Sequence, residues 1–427
     1  MKIAFISYEY PPDAAYGGIA TYVYQAARML SRRGHHVEVF TSSPYRSGTE
    51  VEDGIIVHRI NEKEQQNFAG RIGHIFVKRH AALQFDVLEG PDYAADAREA
   101  IRLAPEIPLV IKLHTPSILL FKLNHYKPES SLMRKTRLYF RSLLRGHKPS
   151  WRYDPSIEVY RLYTLKANEI ERVHALEADE IVTPSKGLGN IMIDEWGLDR
   201  NIVSHVPYPY IPSEKLLRIP IETKTNTVTF LGRLEIRKGV LDLAQAIPLI
   251  LRRRPEAKFR FVGSSEPSPK PNVPMQQYLK HKLRRYKGSV EFTGFIPPES
   301  IPDILADTDI CVFPSVWENF PCVCLESMAA ARGIVGSSAG GMADMLDLGE
   351  VGRLIPPNSP ERIAEAVIEL LEDPSLRMRL GQAARKRLLL EYNVDRISVL
   401  QESSYARAIM RRRAKGTRLR RVCQESP

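Results

Sequence analysis

The chain has 427 residues, 43% of them apolar and 26% charged, and this composition excludes a disordered protein. A chain of this length is also too long for a single hydrophobic core. Its formal net charge of +11 is concentrated in two segments: residues 121–152 carry a net +8 and residues 407–427 a net +7, so the rest of the chain is at −4. This local basicity predicts a surface that meets an anionic partner, not a generally cationic protein.

The cysteines form no pattern that predicts disulfides or a zinc site. They stand at positions 311, 322, 324 and 423. The apolar stretch at the N-terminus is too short for the core of a signal peptide, and no stretch approaches the ~18 apolar residues of a membrane span. We therefore expect a cytoplasmic protein in a reducing compartment.

The first half of the chain alternates apolar runs that predict strands with segments of helical periodicity. Strands are expected at residues 2–7, 37–41, 85–88, 109–113 and 180–183, with another pair between residues 51 and 60. A helix is expected after the Gly17-Gly18 pair, ending at Gly34. This alternation predicts a doubly wound parallel sheet, with the strand at 180–183 as its last.

A hinge follows at residues 206–212, where proline at alternate positions denies the chain regular structure. The second half then repeats the pattern. Strands are expected at residues 228–231, 259–262, 290–293, 310–313 and 333–336, and helices at 239–251, 360–371, 374–390 and about 394–412. The predicted fold class is therefore α/β with two Rossmann-like domains, at residues 1–210 and 211–393, and a basic C-terminal segment at 394–427 that folds back onto the first domain.

The segment at residues 310–328 predicts a strand, a loop and a helix opened by proline, and such a loop is a ready-made ligand site at the carboxyl end of a sheet. Glu318 lies in the loop and Glu326 in the helix. Carboxylates suit sugar or ribose hydroxyls, because they accept hydrogen bonds from them and repel phosphate. The unpaired first-turn amides of Cys322 and Val323 suit phosphate oxygens. A solvated acidic face is the alternative interpretation.

Two cations, Arg233 and Lys238, lie in one loop between the strand at 228–231 and the following helix. The planar guanidinium of Arg233, with its several donors, and the compact ammonium of Lys238 would together suit a diphosphate in the same cleft. Alternatively, they are two solvated cations on a surface loop.

Three further features have a functional and a plain interpretation. Gly17 and Gly18 let the backbone approach a bulky ligand, or simply form a tight turn. His114, at the end of a strand, is a donor facing the cleft between the domains, or a structural histidine. The acids at positions 307 and 309 share the spacing of metal-dependent sugar transferases, but their place before a strand predicts capping and no metal.

Four segments, in order along nearly the whole chain, resemble the retaining glycosyltransferases of family 4, which have the GT-B arrangement of two Rossmann-like domains. They are ISYEYPPDAAYGGIATYVYQAARMLSRRGHHVEVFT, FLGRLEIRKGV, ENFPCVCLE with its E-x7-E spacing, and SSAGGMADMLDLGEVGRLIPPN. The resemblance implies a nucleotide-sugar donor, a saccharide or lipid-linked acceptor, and no cofactor or metal.

The resemblance also implies roles for individual residues. Arg233 and Lys238 would hold the diphosphate and neutralise it as it leaves, Glu318 would bind the transferred sugar, and Glu326 the ribose. His114 would hydrogen-bond the sugar near the reacting carbon. Retention without a protein nucleophile implies a front-face path, in which electrostatics carries most of the rate.

The substrate-binding set is larger. It contains Gly17, Gly18, Gly263, Ile296, Asn319, Phe320, Cys322, Val323 and Glu326. Gly18 would approach the phosphates, and the base would lie near Gly263 and residues 294–296, where backbone groups do not choose between uridine and guanosine.

The chain departs from the family pattern at two places. The hinge reads Pro207-Tyr208-Pro209-Tyr210 where the family commonly has Pro-Asn-Gly-Val-Asp, so a contact made by that asparagine has no counterpart residue here. Asp344 stands where a glutamate is usual. Neither change removes one of the implied catalytic groups.

The basic insert, residues 121–152, interleaves aromatic residues with its cations and fits the surface of an anionic membrane, or equally a solvated helical hairpin. Nucleic acid is not an expected partner, since no recognition motif accompanies the charge. The sequence therefore predicts a metal-independent, retaining hexosyltransferase of cell-surface polysaccharide assembly. A nucleotide-sugar epimerase and an inactive nucleotide-sugar-binding protein are the alternatives.

Overall fold

The computed structural model describes residues 1–14, 17–124 and 155–418. Most of the predicted basic insert, the loop residue Tyr16, and the tail that contains Cys423 lie outside these described residues. None of the helices in the described ranges is long and apolar enough to cross a membrane.

The first half forms an eight-stranded sheet in the order β3-β4-β2-β1-β5-β6-β7-β8. Its strands are β1 Lys2–Ile6, β2 His36–Ser43, β3 Gly48–Glu52, β4 Ile55–Asn61, β5 Val87–Pro91, β6 Leu109–Lys112, β7 Glu180–Thr183 and β8 Val203–His205. All neighbours are parallel except the β3–β4 hairpin. The expectation that the strand at 180–183 is the last was wrong: the edge strand β8 has three residues and one apolar side chain, too little for a periodicity signal.

Helices pack against this sheet through apolar faces of helical spacing. They are α1 Gly18–Arg32, α2 Gln65–Leu83, α3 Arg98–Leu103, α4 Ser117–Asn124, α5 Pro155–Leu176 and α6 Lys186–Trp196. In α1, Ala20, Val23, Ala27 and Leu30 recur at intervals of three and four and are buried. The helix therefore packs over β2. This packing fixes the position of the N-terminus of α1, which follows the loop after β1.

The second half forms a six-stranded, fully parallel sheet in the order β11-β10-β9-β12-β13-β14. The strands are β9 Thr227–Leu231, β10 Lys258–Val262, β11 Val290–Gly294, β12 Ile310–Phe313, β13 Gly333–Ser337 and β14 Arg353–Ile355. The helices are α7 Glu214–Leu217, α8 Val240–Arg253, α9 Met275–Lys282, α10 Ile301–Ala306, α11 Cys322–Ala329, α12 Met342–Met345, α13 Pro360–Glu372, α14 Pro374–Glu391 and α15 Val394–Lys415. Two α/β sheets, the second fully parallel and the first parallel except for one hairpin, confirm the predicted fold class.

The last helix, α15, leaves the second half and packs on β5, β6, β7 and α1 of the first. Three of its arginines are ion-paired with the first half: Arg407 and Arg411 contact Glu180, and Arg412 contacts Asp179 at 2.6 Å. Arg418 also contacts Asp179, at 2.7 Å. The expectation that the local basicity of this segment serves an anionic partner is therefore wrong for these four arginines, because their charge neutralises two buried carboxylates of the first half.

Candidate active site

The loop between β9 and α8 holds the predicted cations, and glycine lets it pack closely on the neighbouring strand. Gly239 has φ +70°, and a Cβ there would lie 1.9 Å from the carbonyl oxygen of Pro314, the residue after β12. This close approach brings Lys238 against the loop that follows β12.

Glu318 lies in that second loop, is 6% exposed, and is surrounded by cations of the first. Its Oε1 atom contacts Lys238 Nζ, accepts a hydrogen bond from Ser315 Oγ at 2.8 Å, and is 3.9 Å from Arg237. Burial alone would raise the pKa of Glu318, but the charges of Lys238 and Arg237 outweigh it, and the pKa is lowered. The carboxylate is ionised, and all three contacts use one of its two oxygens.

The three cations of the β9–α8 loop differ in exposure. The side chain of Arg233 is 51% exposed and reaches Glu235 at 3.4 Å, whereas Arg237 is buried and contacts Glu235 at 2.8 Å. Burial lowers the pKa of Lys238, and the charge of Glu318 opposes this shift. Arg237 was missed in the sequence, although it directly precedes Lys238. Only packing shows that it points toward Glu318.

A second pair of glycines positions the Glu318 loop. Gly341 N donates to Glu318 O at 2.8 Å, and Gly340 has φ +76°. A Cβ on Gly340 would lie 2.0 Å from Glu318 O, and one on Gly341 would lie 1.8 Å from Asn319 O. Only glycine therefore allows this backbone contact.

Asn319 joins the two halves of the chain. Its Nδ2 donates to the carbonyl oxygen of His114 at 3.2 Å, and its Oδ1 accepts from Ser185 Oγ at 2.8 Å. His114 follows β6 and Ser185 caps α6, so both partners belong to the first half. The buried amide thus places the Glu318 loop beside His114. We call the region formed by the Glu318 loop, His114 and Ser185 the junction.

His114 is buried and held at both backbone and ring. Its amide donates to Asp92 Oδ1 at 2.7 Å, and its Nδ1 lies 2.6 Å from the hydroxyl of Tyr208. Burial, and then the charge of Lys112, lower the pKa of His114 to about 3. The ring is therefore neutral at pH 7.

Helix α11 carries the second predicted glutamate. Pro321 is its N-cap, so the amides of Cys322 and Val323, both half-buried, are first-turn amides without intrahelical acceptors. Glu326 lies one turn further, and burial raises its pKa to about 7. Phe320, before the helix, packs edge-on against Tyr208, with ring centroids 5.4 Å apart.

Three glycines end neighbouring strands where the base of a nucleotide was expected. Gly263 N donates to Gly294 O at 2.9 Å, and a Cβ on Gly263 would lie 2.0 Å from Gly232 O. Gly263 and Gly232 both have φ +141°. Ile296, two residues after Gly294, is partly buried and packs against the hydrophobic core that contains Leu231 and Val262. The strand ends therefore present backbone groups, with little side chain in the way.

The glycine loop of the first half has an acidic neighbour that sequence reasoning missed. Glu9 lies near the amides of Gly17 and Ala20 at the start of α1, and its Oε2 is buried without a hydrogen-bond partner among the described residues. Burial raises the pKa of Glu9, and these amides and the charge of Arg233 oppose the shift. A Cβ on Gly18 would meet no described atom within 4 Å. An acid eight residues before the glycine pair, in the same loop after β1, was the available signal in the sequence.

Asp307 and Asp309, for which the sequence predicts capping and no metal, have protein partners. Asp307 contacts Arg260 at 2.7 Å, and Asp309 accepts from the amide of Asn226 at 2.8 Å. The first contact connects β10, and the second the start of β9, to the segment before β12. The carboxylates of Asp307 and Asp309 therefore stabilise the sheet.

The chain is similar in sequence and structure to known glycosyltransferases. The family model described as glycosyl transferases group 1 matches residues 214–387, and the glycosyl transferase 4-like domain matches residues 17–209. An uncharacterized glycosyltransferase of Methanocaldococcus jannaschii is 25% identical over 93% of this chain and 96% of its own length.

Two solved structures share the fold. Sucrose-phosphate synthase of Thermosynechococcus elongatus has a TM-score of 0.70 at 20% identity, over 96% of this chain and 99% of its own. HepE of Anabaena, solved with UDP and glucose, has a TM-score of 0.63 at 16% identity, over 95% of this chain and 99% of its own. The chain belongs to the group 1 glycosyltransferases with a 4-like N-terminal domain and is a transferase enzyme of the GT-B fold.

Proposed function

We propose that this enzyme is a retaining hexosyltransferase that moves a sugar from UDP or GDP to a saccharide or lipid-linked acceptor in cell-surface polysaccharide assembly. The observation that carries this proposal is the loop of Arg233, Arg237 and Lys238, in which Arg237 and Lys238 lie beside the ionised Glu318. Three cations in one loop fit a diphosphate, and a carboxylate next to them fits the hydroxyls of the sugar attached to it.

In the proposed reaction, an acceptor hydroxyl attacks the anomeric carbon from the side on which the diphosphate leaves. The bond between that carbon and the phosphate oxygen breaks, and its electron pair goes to the diphosphate. The acceptor proton passes to the departing phosphate oxygen. Arg233 and Lys238 stabilise the charge that develops on the diphosphate, so no metal ion is needed for this purpose.

The contacts of Glu318 leave room for the sugar. Its Oε1 holds Lys238, Arg237 and Ser315, while Oε2 makes no hydrogen bond or ion pair among the described residues and is not a buried, unpartnered atom. Oε2 is therefore the acceptor that we assign to the hydroxyls of the transferred sugar. Lys238 keeps Oε1 in place and reaches the diphosphate on its other side.

The remaining predicted residues surround the nucleotide in this proposal. Glu326 binds the ribose hydroxyls, the amides of Cys322 and Val323 bind phosphate oxygens, and Gly18 leaves space for the diphosphate. Gly263 lies next to the nucleobase. The UDP in the Anabaena structure is consistent with a uridine nucleotide, but the backbone groups at the strand ends suit either base.

We also propose that the enzyme is cytoplasmic and contacts the membrane through its basic insert. Most of the insert lies outside the described residues, but α5, which follows it, exposes Leu162, Tyr163 and Leu165. Apolar side chains next to a cationic segment fit an anionic lipid surface. Deletion of residues 125–152 should abolish cosedimentation with phosphatidylglycerol vesicles, and unchanged cosedimentation would contradict this part of the proposal.

The function is tested by incubating the enzyme with a panel of UDP- and GDP-hexoses, with and without EDTA, and following the anomeric proton by NMR. We expect hydrolysis or transfer of at least one donor, retention of its configuration, and no effect of the chelator. Inversion, or loss of activity with EDTA, would contradict the proposed mechanism. An epimerised nucleotide sugar without transfer would favour the epimerase alternative.

A further inference from the structure

The hinge residue Tyr208, within Pro207-Tyr208-Pro209-Tyr210, contacts His114 through its hydroxyl. Tyr208 is 4% exposed. Its ring is packed against Tyr22, with centroids 4.8 Å apart, and against Phe320. Lys112 Nζ lies 5.3 Å from the centroid of the Tyr208 ring. The position of the phenol is therefore set by neighbours on three sides.

Lys112 is itself held by a hydrogen bond and a ring contact close to His114. Its Nζ donates to Val206 O, two residues before Tyr208, at 2.6 Å, and it lies 4.7 Å from the centroid of the Tyr22 ring. Glu89 provides the opposite charge and accepts hydrogen bonds from Tyr22 and from Tyr405 of α15. The phenol hydroxyl of Tyr208 is thus held at one point, 2.6 Å from His114 Nδ1.

The direction of this hydrogen bond follows from the available partners. Among the described residues, the Tyr208 hydroxyl has no partner other than His114 Nδ1. If Nδ1 carried the proton, the hydroxyl would accept it, and its own buried proton would have no acceptor, which is unfavourable. If Tyr208 donates, both groups are satisfied. Because the His114 ring is neutral, its proton must then lie on Nε2.

Nε2 is the ring nitrogen that remains available to a ligand. It makes no hydrogen bond to a described residue, and it is not among the fully buried polar atoms that lack a partner. We propose that Tyr208 is a positioning residue, which donates to Nδ1 of His114 and holds the ring in the tautomer whose Nε2–H faces the substrate. In the proposed transferase reaction, on which this ligand assignment rests, Nε2–H then donates to a hydroxyl oxygen of the donor sugar.

The tautomer is measured directly by long-range proton–nitrogen NMR of the full-length protein labelled with ¹⁵N in its histidine rings. The spectrum of His114→Gln assigns the signals of His114 by their absence. We expect a pyridine-type Nδ1 and a pyrrole-type Nε2 for His114 in the wild-type protein. A pyrrole-type Nδ1 would overturn the proposal, whether or not any variant folds.

The matched variants are Tyr208→Phe and Tyr405→Phe, since each removes one buried phenol hydroxyl but only the first contacts His114. We expect Tyr208→Phe to mix the two tautomers and to lower kcat about tenfold, with a smaller change in KM for the donor. Tyr405→Phe should keep the wild-type tautomer. Unchanged His114 signals and unchanged kcat in folded Tyr208→Phe would contradict the proposal.

The two proposals fail in different ways. If His114 shows the expected tautomer but no nucleotide sugar is hydrolysed or transferred, the proposed function is wrong and the role of Tyr208 in fixing the ring stands. If transfer occurs but the tautomer is the opposite one, the function stands and the positioning role is wrong.

Discussion

The two sides of the junction are stabilised by different interactions, neutral hydrogen bonds on one side and charge pairs on the other. On the first-half side, His114 is neutral and is held by hydrogen bonds to Asp92, Tyr208 and Asn319. On the second-half side, Glu318 is ionised and lies beside cations from a neighbouring loop. One side can therefore fix orientation, while the other supplies charge where a diphosphate would leave. Removing a charge should therefore cost more activity than removing a neutral hydrogen bond.

The largest effect is expected for Glu318→Gln. The amide keeps the size of the side chain but loses the charge that holds Lys238 and the strong acceptor at Oε2. We expect kcat to fall about 10³-fold, while the affinity for nucleoside diphosphate changes little. Glu369→Gln, which removes a carboxylate from an exposed ion pair with Arg353, is the control. Near-normal turnover of Glu318→Gln would show that this carboxylate does not bind the sugar.

Lys238→Ala and Arg233→Ala separate buried from exposed charge. Loss of Lys238 leaves the buried Glu318 with less compensation, so we expect the free energy of unfolding to fall by about 3 kcal/mol and kcat/KM by about 10²-fold. Arg233 is largely exposed, so its loss should weaken nucleoside diphosphate binding about tenfold and leave stability unchanged. Thermal unfolding and calorimetric titration check both variants. Equal stability loss in the two would contradict this distinction.

The two glycine pairs are expected to respond differently to alanine. Gly341→Ala places a Cβ 1.8 Å from Asn319 O, so the Glu318 loop must move, and we expect a clear loss of stability and activity. Gly18→Ala meets no described atom, so the protein should unfold at the same temperature but show a raised KM for the donor. An unchanged KM in Gly18→Ala would remove that glycine from the proposed binding site.

The smallest effect concerns pH and Glu326. Because burial raises its pKa to about 7 in the folded protein, the stability contributed by the neutral carboxyl is fully present below about pH 4.5 and is lost as the pH rises through about 7. The ionised form is the stronger acceptor for ribose hydroxyls. We expect nucleoside diphosphate to bind a few-fold more tightly at pH 8 than at pH 6 in the wild type. Glu326→Gln should lack this increment, and an identical pH profile would contradict the assignment.

Local patterns were enough to predict the sheets and the loops that meet at the junction. A pattern of a few neighbouring residues is enough to predict each of the strands with apolar runs, the Arg233–Lys238 loop and the Glu318 loop. The edge strands β8 and β14, three residues each, do not. The contacts of Tyr208 with His114 and of Arg412 with Asp179 join residues 94 and 233 positions apart. Side-chain patterns within one segment carry no information about such pairs.

The most direct test is a crystal structure of the protein with an intact or hydrolysed nucleotide sugar. We expect the diphosphate oxygens to lie within about 3 Å of Lys238 Nζ and the Arg233 guanidinium, with a sugar hydroxyl on Oε2 of Glu318. A diphosphate bound away from these side chains would contradict the assignment of this loop as the leaving-group site.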